Sequence, residues 1–157
     1  MKAARNIVIG AVVVLAVLAA IGSTVKPSGT GGSPAATAAP DLKGQVVFGR
    51  SIDSSAMTVA APITTAKLTD SIGWVAYLSD QAKSTALTLT LASVTSGGAE
   101  APVSTVTVDI SNPQDNELAH APDTTLGAAL GAGTYAIRYI RPSDSTVLAT
   151  GMLTLIP

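Results

Sequence analysis

The 157-residue chain contains no cysteine. That excludes disulfides, thiolate nucleophiles, cysteine-based zinc sites, iron–sulfur clusters and the lipid-modified cysteine of bacterial lipoproteins. Histidine occurs once, as His120. A lone imidazole builds a transition-metal site only when carboxylates complete it. A Ser-His-Asp triad would have to recruit that same residue, and no Gly-x-Ser-x-Gly elbow is present. Aromatics make up 3% of the chain and charged residues 12%, the latter about half the usual share. Over residues 44–157 five cations face nine acids, with no basic stripe. Nucleic acid is therefore not expected as a partner, because its phosphates demand clustered Lys and Arg. Glycine pairs such as Gly97-Gly98 read as turns; a phosphate cradle needs a following helix. These gaps point to a chain that is not an enzyme and carries no cofactor or metal.

What is present begins with an apolar run. Lys2 and Arg5 precede 19 uncharged residues, Ile7 to Val25, which end at Lys26 and Pro27. As a helix this run spans about 28 Å, close to the thickness of a bilayer's hydrocarbon core. Ile7, Val14, Leu18 and Ile21 are its expected lipid-facing anchors. The positive-inside rule puts Met1 in the cytoplasm and the rest in the periplasm or outside the cell. A cleavable signal peptide competes, with Ala20-Ile21-Gly22 as a passable cut site. A pilin-like leader is a third reading. It is weakened by Pro27, Gly29, Gly31 and Gly32, by the lack of a Lys/Arg-Gly processing site, and by the lack of a Glu five residues into the helix.

Residues 26–43 hold almost nothing that could bury a face. Gly, Ser, Thr, Ala and Pro fill a flexible tether with a typical reach of about 23 Å. The chain thus divides into an anchor or signal segment (1–25), a linker (26–43) and a domain (44–157).

The domain reads as all-β. Gln45–Gly49 and Ile72–Ser79 are expected strands, with Ile72, Trp74, Ala76 and Leu78 on one face and a short strand at Ala66–Thr69 between them. Ala86–Val94 alternates Leu87, Leu89 and Leu91 with Thr88 and Thr90, the mark of a sheet with one wet face. Val103–Ile110 is another strand, and Gly133–Arg141 with Val147–Ile156 form a terminal hairpin. Only Asp115–Ala121 carries a pattern compatible with a helical turn, inside an expected loop, Ser111–Thr125, that holds His120. About seven strands of this length suit an immunoglobulin-like sandwich, with a small barrel as the alternative.

The last hairpin resembles the end of bacterial extracytoplasmic immunoglobulin-like domains, among them the periplasmic copper-resistance proteins. Leu130-Gly131-Ala132-Gly133-Thr134-Tyr135, then Ile137, Arg138, Tyr139, Ser143-Asp144 and Gly151, carry the likeness over about 27 residues. The resemblance implies a tyrosine corner, in which the Tyr135 hydroxyl bonds nearby backbone. The family's copper function does not carry over: its Asp-x-His type ligand set has no equivalent at Asp144-Ser145-Thr146.

Candidate sites are correspondingly few. Asp109, Asp115, Asn116, Glu117 and Asp123 crowd one stretch, and oxygen-rich clusters can bind calcium. Their spacing matches no calcium loop, and Asx residues belong in turns anyway. Trp74 reads as core. Val75, Tyr77 and Ile140 project from the opposite faces of their strands. If those strands share a sheet, they form an exposed apolar patch of the kind that marks interaction sites. The expected function is therefore a membrane-tethered extracytoplasmic module acting by protein–protein contact, an accessory or structural subunit of a membrane or envelope assembly. Its partners are lipid, through the anchor, and protein. A pilin-like filament or surface-layer subunit is the first alternative, and a secreted solute- or metal-binding module the second.

Overall fold

The computed structural model describes residues 41–157; the anchor positions Ile7, Val14, Leu18 and Ile21 and most of the linker lie outside them. The described chain is mostly strand. Its elements are β1 Gln45–Gly49, β2 Ile52–Asp53, β3 Thr58–Val59, β4 Pro62–Ile63, β5 Thr65–Lys67, β6 Ile72–Tyr77, β7 Ala86–Val94, β8 Glu100–Asp109, β9 Glu117–Asp123, α1 Thr125–Leu130, β10 Gly133–Arg141 and β11 Thr146–Ile156. Among the described residues no helix is long and apolar enough to cross a membrane.

One continuous sheet runs β8-β7-β10-β11-β1-β6-β9, with β4 added to β1 and β5 to β11. It curls, so that its inner face encloses the core. β1 joins its two halves: it pairs parallel with β11 through Gln45 and Thr150 and antiparallel with β6 from Gln45–Tyr77 to Gly49–Gly73. Period-two patterning sets what faces inward. Leu87 and Leu89 of β7, Ile137 and Tyr139 of β10, Leu148, Leu153 and Leu155 of β11, and Phe48, Trp74 and Ala76 are all buried in one cluster. Each large aliphatic side chain so buried stabilises the fold by about 1.5–3 kcal/mol relative to exposure.

The strands at Gln45–Gly49, Ala86–Val94 and Gly133–Arg141 lie where the alternation places them. Two segments differ. Residues 117–123, expected within a loop or helical turn, form edge strand β9 on β6. The short helix comes later, at Thr125–Leu130, and packs closely enough that a methyl on Gly127 would overlap the Leu68 carbonyl. The β2–β3 hairpin, which the sequence did not signal, lies against the outer face of β6. Val75 is consequently fully buried, as is Met57 between β2 and β3.

Two polar clamps close the ends. The Tyr135 hydroxyl donates to the Leu130 carbonyl at 2.7 Å, with Gly131 O at 3.3 Å, tying the C-terminal end of α1 to β10. This is the bond implied by the tyrosine-corner resemblance. Arg141, 7% exposed, donates to the carbonyls of Ala82 (2.9 Å) and Gln81 (2.7 Å) and to the carboxylates of Asp80 and Asp144. Tyr135→Phe is expected to lower unfolding free energy by about 1 kcal/mol, read as a shift in urea midpoint at unchanged denaturant slope.

Candidate functional site

Curling leaves the sheet's terminal strands, β8 and β9, without a shared ladder. At this seam lies a cleft of about 330 Å³. Its walls are apolar: Leu89 and Leu91 from β7, Val106 from β8, Ile137 from β10, and Leu126 and Leu130 from α1. Trp74 also lines it. Ser104 stands on the β8 side, and His120, Asp123 and Thr125 supply polar groups on the other. An apolar concavity with a few convergent polar groups is the usual form of a binding site.

The polar side is built by a bulge. In the β6–β9 ladder Trp74 faces His120 but Ile72 faces Asp123, so β9 carries one extra residue there. The bulge brings His120 and Asp123 to the same side of the strand, which regular alternation would forbid. Gly73 permits it: a Cβ there would sit 2.7 Å from His120 O and 2.8 Å from Pro122 N. The His120 ring stacks on Trp74 with centroids 3.9 Å apart and planes at 22°. Its Nε2 lies 3.3 Å from Asp123 Oδ2. Asp123 Oδ1 accepts from the Thr125 amide and hydroxyl, both at 2.8 Å, and from the Leu126 amide at 3.3 Å. One carboxylate thus fixes both the histidine and the first turn of α1.

Charge states follow from these contacts. Burial pushes the His120 pKa below its ordinary value of 6.5, and Asp123 only partly opposes the shift. Burial raises the Asp123 carboxyl, but the bonds from Thr125 and His120 outweigh it and hold the group below the usual range. At neutral pH the site therefore holds a neutral imidazole whose Nε2–H donates to an ionised carboxylate. Among the described residues Asp123 is the sole side chain hydrogen-bonded to His120.

The acidic stretch singled out in the sequence does not converge. Asp109 ends β8, while Glu117 and Asp123 occupy opposite ends of β9. Asn116 uses its carbonyl to accept from Leu78. Asp115 turns inward. Its residue is 8% exposed, Asn112 donates to Oδ1 at 3.1 Å, and Oδ2 meets no donor among the described residues. No group of three or more His, Asp or Glu side chains is arranged there to hold a metal ion.

Val75, Tyr77 and Ile140 do not assemble into an open patch. Val75 is 0% exposed, and the Tyr77 hydroxyl is tied to Met57 O at 2.7 Å. Ile140 is half-buried on β10, with β11 and β1 between it and β6. Both faces of β6 are covered, so an outward position on it is no longer a wet one. Exposed large apolar residues fall elsewhere, at Val103, Val147, Met152 and Ile156. His120, expected in a loop, is the site residue that sequence reasoning misplaced; Gly73 inside a clear strand was the one available signal of a bulge. No family model matches the chain, and no curated protein matches it significantly.

Two titrations of opposite sign are expected. His120 has a depressed folded-state pKa, so its contribution is full above the unfolded value and is lost as pH falls through it. The melting temperature should drop between about pH 7.5 and 5.5, and His120→Phe should flatten that drop. Asp115 has a pKa raised by burial, which Asn112 only partly offsets. The folded protein holds that proton more tightly than the unfolded chain, so stability falls as pH rises from the ordinary carboxyl value of 3.8 toward the raised folded one. Asp115→Asn should then stabilise at neutral pH by on the order of 1 kcal/mol, an advantage that disappears below about pH 3. Urea unfolding at several pH values reads both.

Proposed function

We propose that the chain is a membrane-tethered, extracytoplasmic module that works by protein–protein contact, as an accessory or structural subunit of a membrane or envelope assembly. The seam cleft is its contact surface. The single observation that carries this reading is the apolar cleft between the two unpaired edges of the sheet, lined by Leu89, Leu91, Val106 and Leu130. A water-exposed apolar concavity gains free energy when a partner's apolar group fills it. The tethering and the location rest on the sequence: the 19-residue uncharged run after Lys2 and Arg5, and the Gly/Ser/Pro-rich linker.

The curled sheet is read as an immunoglobulin-like sandwich. Support comes from the Tyr135–Leu130 bond at the start of β10 and from the parallel join between β1 and β11, which links two layers into one sheet. Non-catalytic action is part of the proposal. The His120–Asp123 couple engages each other and the α1 cap, with no hydroxyl among their described partners placed as a nucleophile against the imidazole.

One alternative has an observation of its own. The ten-residue edge strand β8 favours a filament or surface-layer subunit that pairs edge to edge. A photo-crosslinking residue at Ala129 or Ser104, both on the cleft, separates the readings in native membranes. The contact reading expects a heterologous adduct from these positions and none from Thr150 on the outer face. Adducts of the chain with itself would establish the filament alternative, and cross-linking from Thr150 alone would remove the cleft from the account.

A further inference from the structure

The end of the sheet at β8 is defended over only half its length. Along Glu100–Val103 three devices discourage another strand. Pro102 removes an amide donor, the ladder shifts register where Val103 is passed over, and Glu100 is engaged by Arg138 of β10. All three end at Val103, which is the first residue of β8 to line the cleft. From Ser104 to Val108 the ladder with β7 is regular and carries no proline or charge. Ile110 N donates to Thr85 O at 2.8 Å, and antiparallel alternation then points the amides of Thr105 and Thr107 away from β7. Those residues are exposed, while Ser104 and Val106 turn their side chains toward the cleft. A strand laid beside this stretch continues the inner face over the cleft, about 4.8 Å from β8.

Charge narrows the occupant. Asp123 is the one ionised side chain lining the cleft, and its carboxylate is 41% exposed. The surrounding domain carries more acids than cations. An anionic occupant would meet repulsion here, and a cationic one is complementary.

We propose that Ser104–Val108 receives an extended segment of a partner polypeptide as an added strand, which places an apolar side chain in the cleft and a lysine or arginine beside Asp123. This rests on the contact reading and names the partner's chemistry. Backbone pairing supplies affinity, and the apolar pocket with the carboxylate supplies selectivity.

The test uses the full-length chain in dodecyl maltoside and three capped six-residue peptides of alternating valine and threonine, ending in lysine, glutamine or glutamate. Trp74, the single tryptophan, lines the cleft and reports binding by fluorescence. Hydrogen exchange over 104–108 reports strand addition. The lysine peptide should bind at least about threefold more tightly than the glutamine peptide, with the glutamate peptide weakest. It should slow exchange at Thr105 and Thr107. Asp123→Asn, which keeps a capping side chain, should erase the ranking without abolishing binding. Thr107→Pro removes an outward amide and leaves the β7 ladder intact; it should cost about tenfold or more in affinity.

Failure of all three peptides to bind overturns the proposal, as does binding without protection of β8 or equal affinity for lysine and glutamate peptides. Protection of β8 that rises with protein concentration alone assigns the edge to a second copy instead. If Ala129 still cross-links a partner while the peptides fail, this proposal falls and the contact reading stands. If neither Ala129 nor Ser104 captures a partner, the cleft drops out of the contact reading independently of the peptides.

Discussion

A hydrogen bond through the middle of the core, from the Trp74 indole N–H to the Tyr139 hydroxyl at 3.0 Å, holds the geometry on which the cleft depends. Trp74 sits on β6 and Tyr139 on β10, with β1 and β11 between them in the sheet. Their side chains meet only because the sheet curls far enough to bring its two limbs face to face. Left unpaired, a buried indole N–H costs about 1–3 kcal/mol. The pair therefore penalises flattened or shifted arrangements that bulk apolar burial would tolerate. Burial pushes the Tyr139 pKa up to about 12, so the acceptor stays a neutral phenol at any ordinary pH.

Orientation is passed outward from that bond. With its edge fixed by Tyr139 and a tilted contact to Phe48 at 6.1 Å, the Trp74 ring presents one face to His120. The stacked imidazole aims Nε2 at Asp123, and Asp123 in turn caps α1. Gly127 then lets α1 settle against the Leu68 backbone. The helix covers part of the seam but presents small or half-buried side chains, Ala129 and Leu130, toward β8. An opening between β8 and α1 follows from these constraints. Core packing fixes one wall, a polar chain of contacts fixes the other, and neither reaches across.

Legibility in the sequence tracked how many faces of a strand are wet. β7 has one solvated face, and its Leu/Thr alternation gives both boundaries and inward residues. β10 and β11 are announced by β-branched and aromatic residues around a Pro-Ser-Asp turn. β9 was not legible: Glu117–Asp123 reads ELAHAPD, with small residues, a proline and no clear period. It is a strand because β6 offers an unpaired edge, a tertiary cause that local propensity does not carry. The same limit undid the surface reading of Val75. Alternation assigns a face, but the β2–β3 hairpin that covers that face is two short strands with no signal of their own. The Tyr135 corner was legible because it is local, five residues from donor to acceptor.

Electrostatics decide what such a cleft can attract. All three arginines among the described residues are committed to ion pairs: Arg50 with Asp70, Arg138 with Glu100, and Arg141 with Asp80 and Asp144. Arg141 is fixed further by two backbone carbonyls, so its charge serves the junction between the 79–85 loop and the β10–β11 turn. Lys83 joins Asp80 at the same junction. Asp53, Asp109 and Glu117 have no ion-pair partner among the described residues, and Asp123 is matched by an imidazole that burial keeps neutral. Internal pairing thus engages every described arginine and Lys83, and the acids left over outnumber the remaining lysines, Lys43 and Lys67. Solvent screens much of that surplus, but the Asp123 carboxylate borders an apolar well, where the local dielectric is lower and its field acts at short range. In the proposed contact, that one carboxylate is the charge a partner would meet in the cleft.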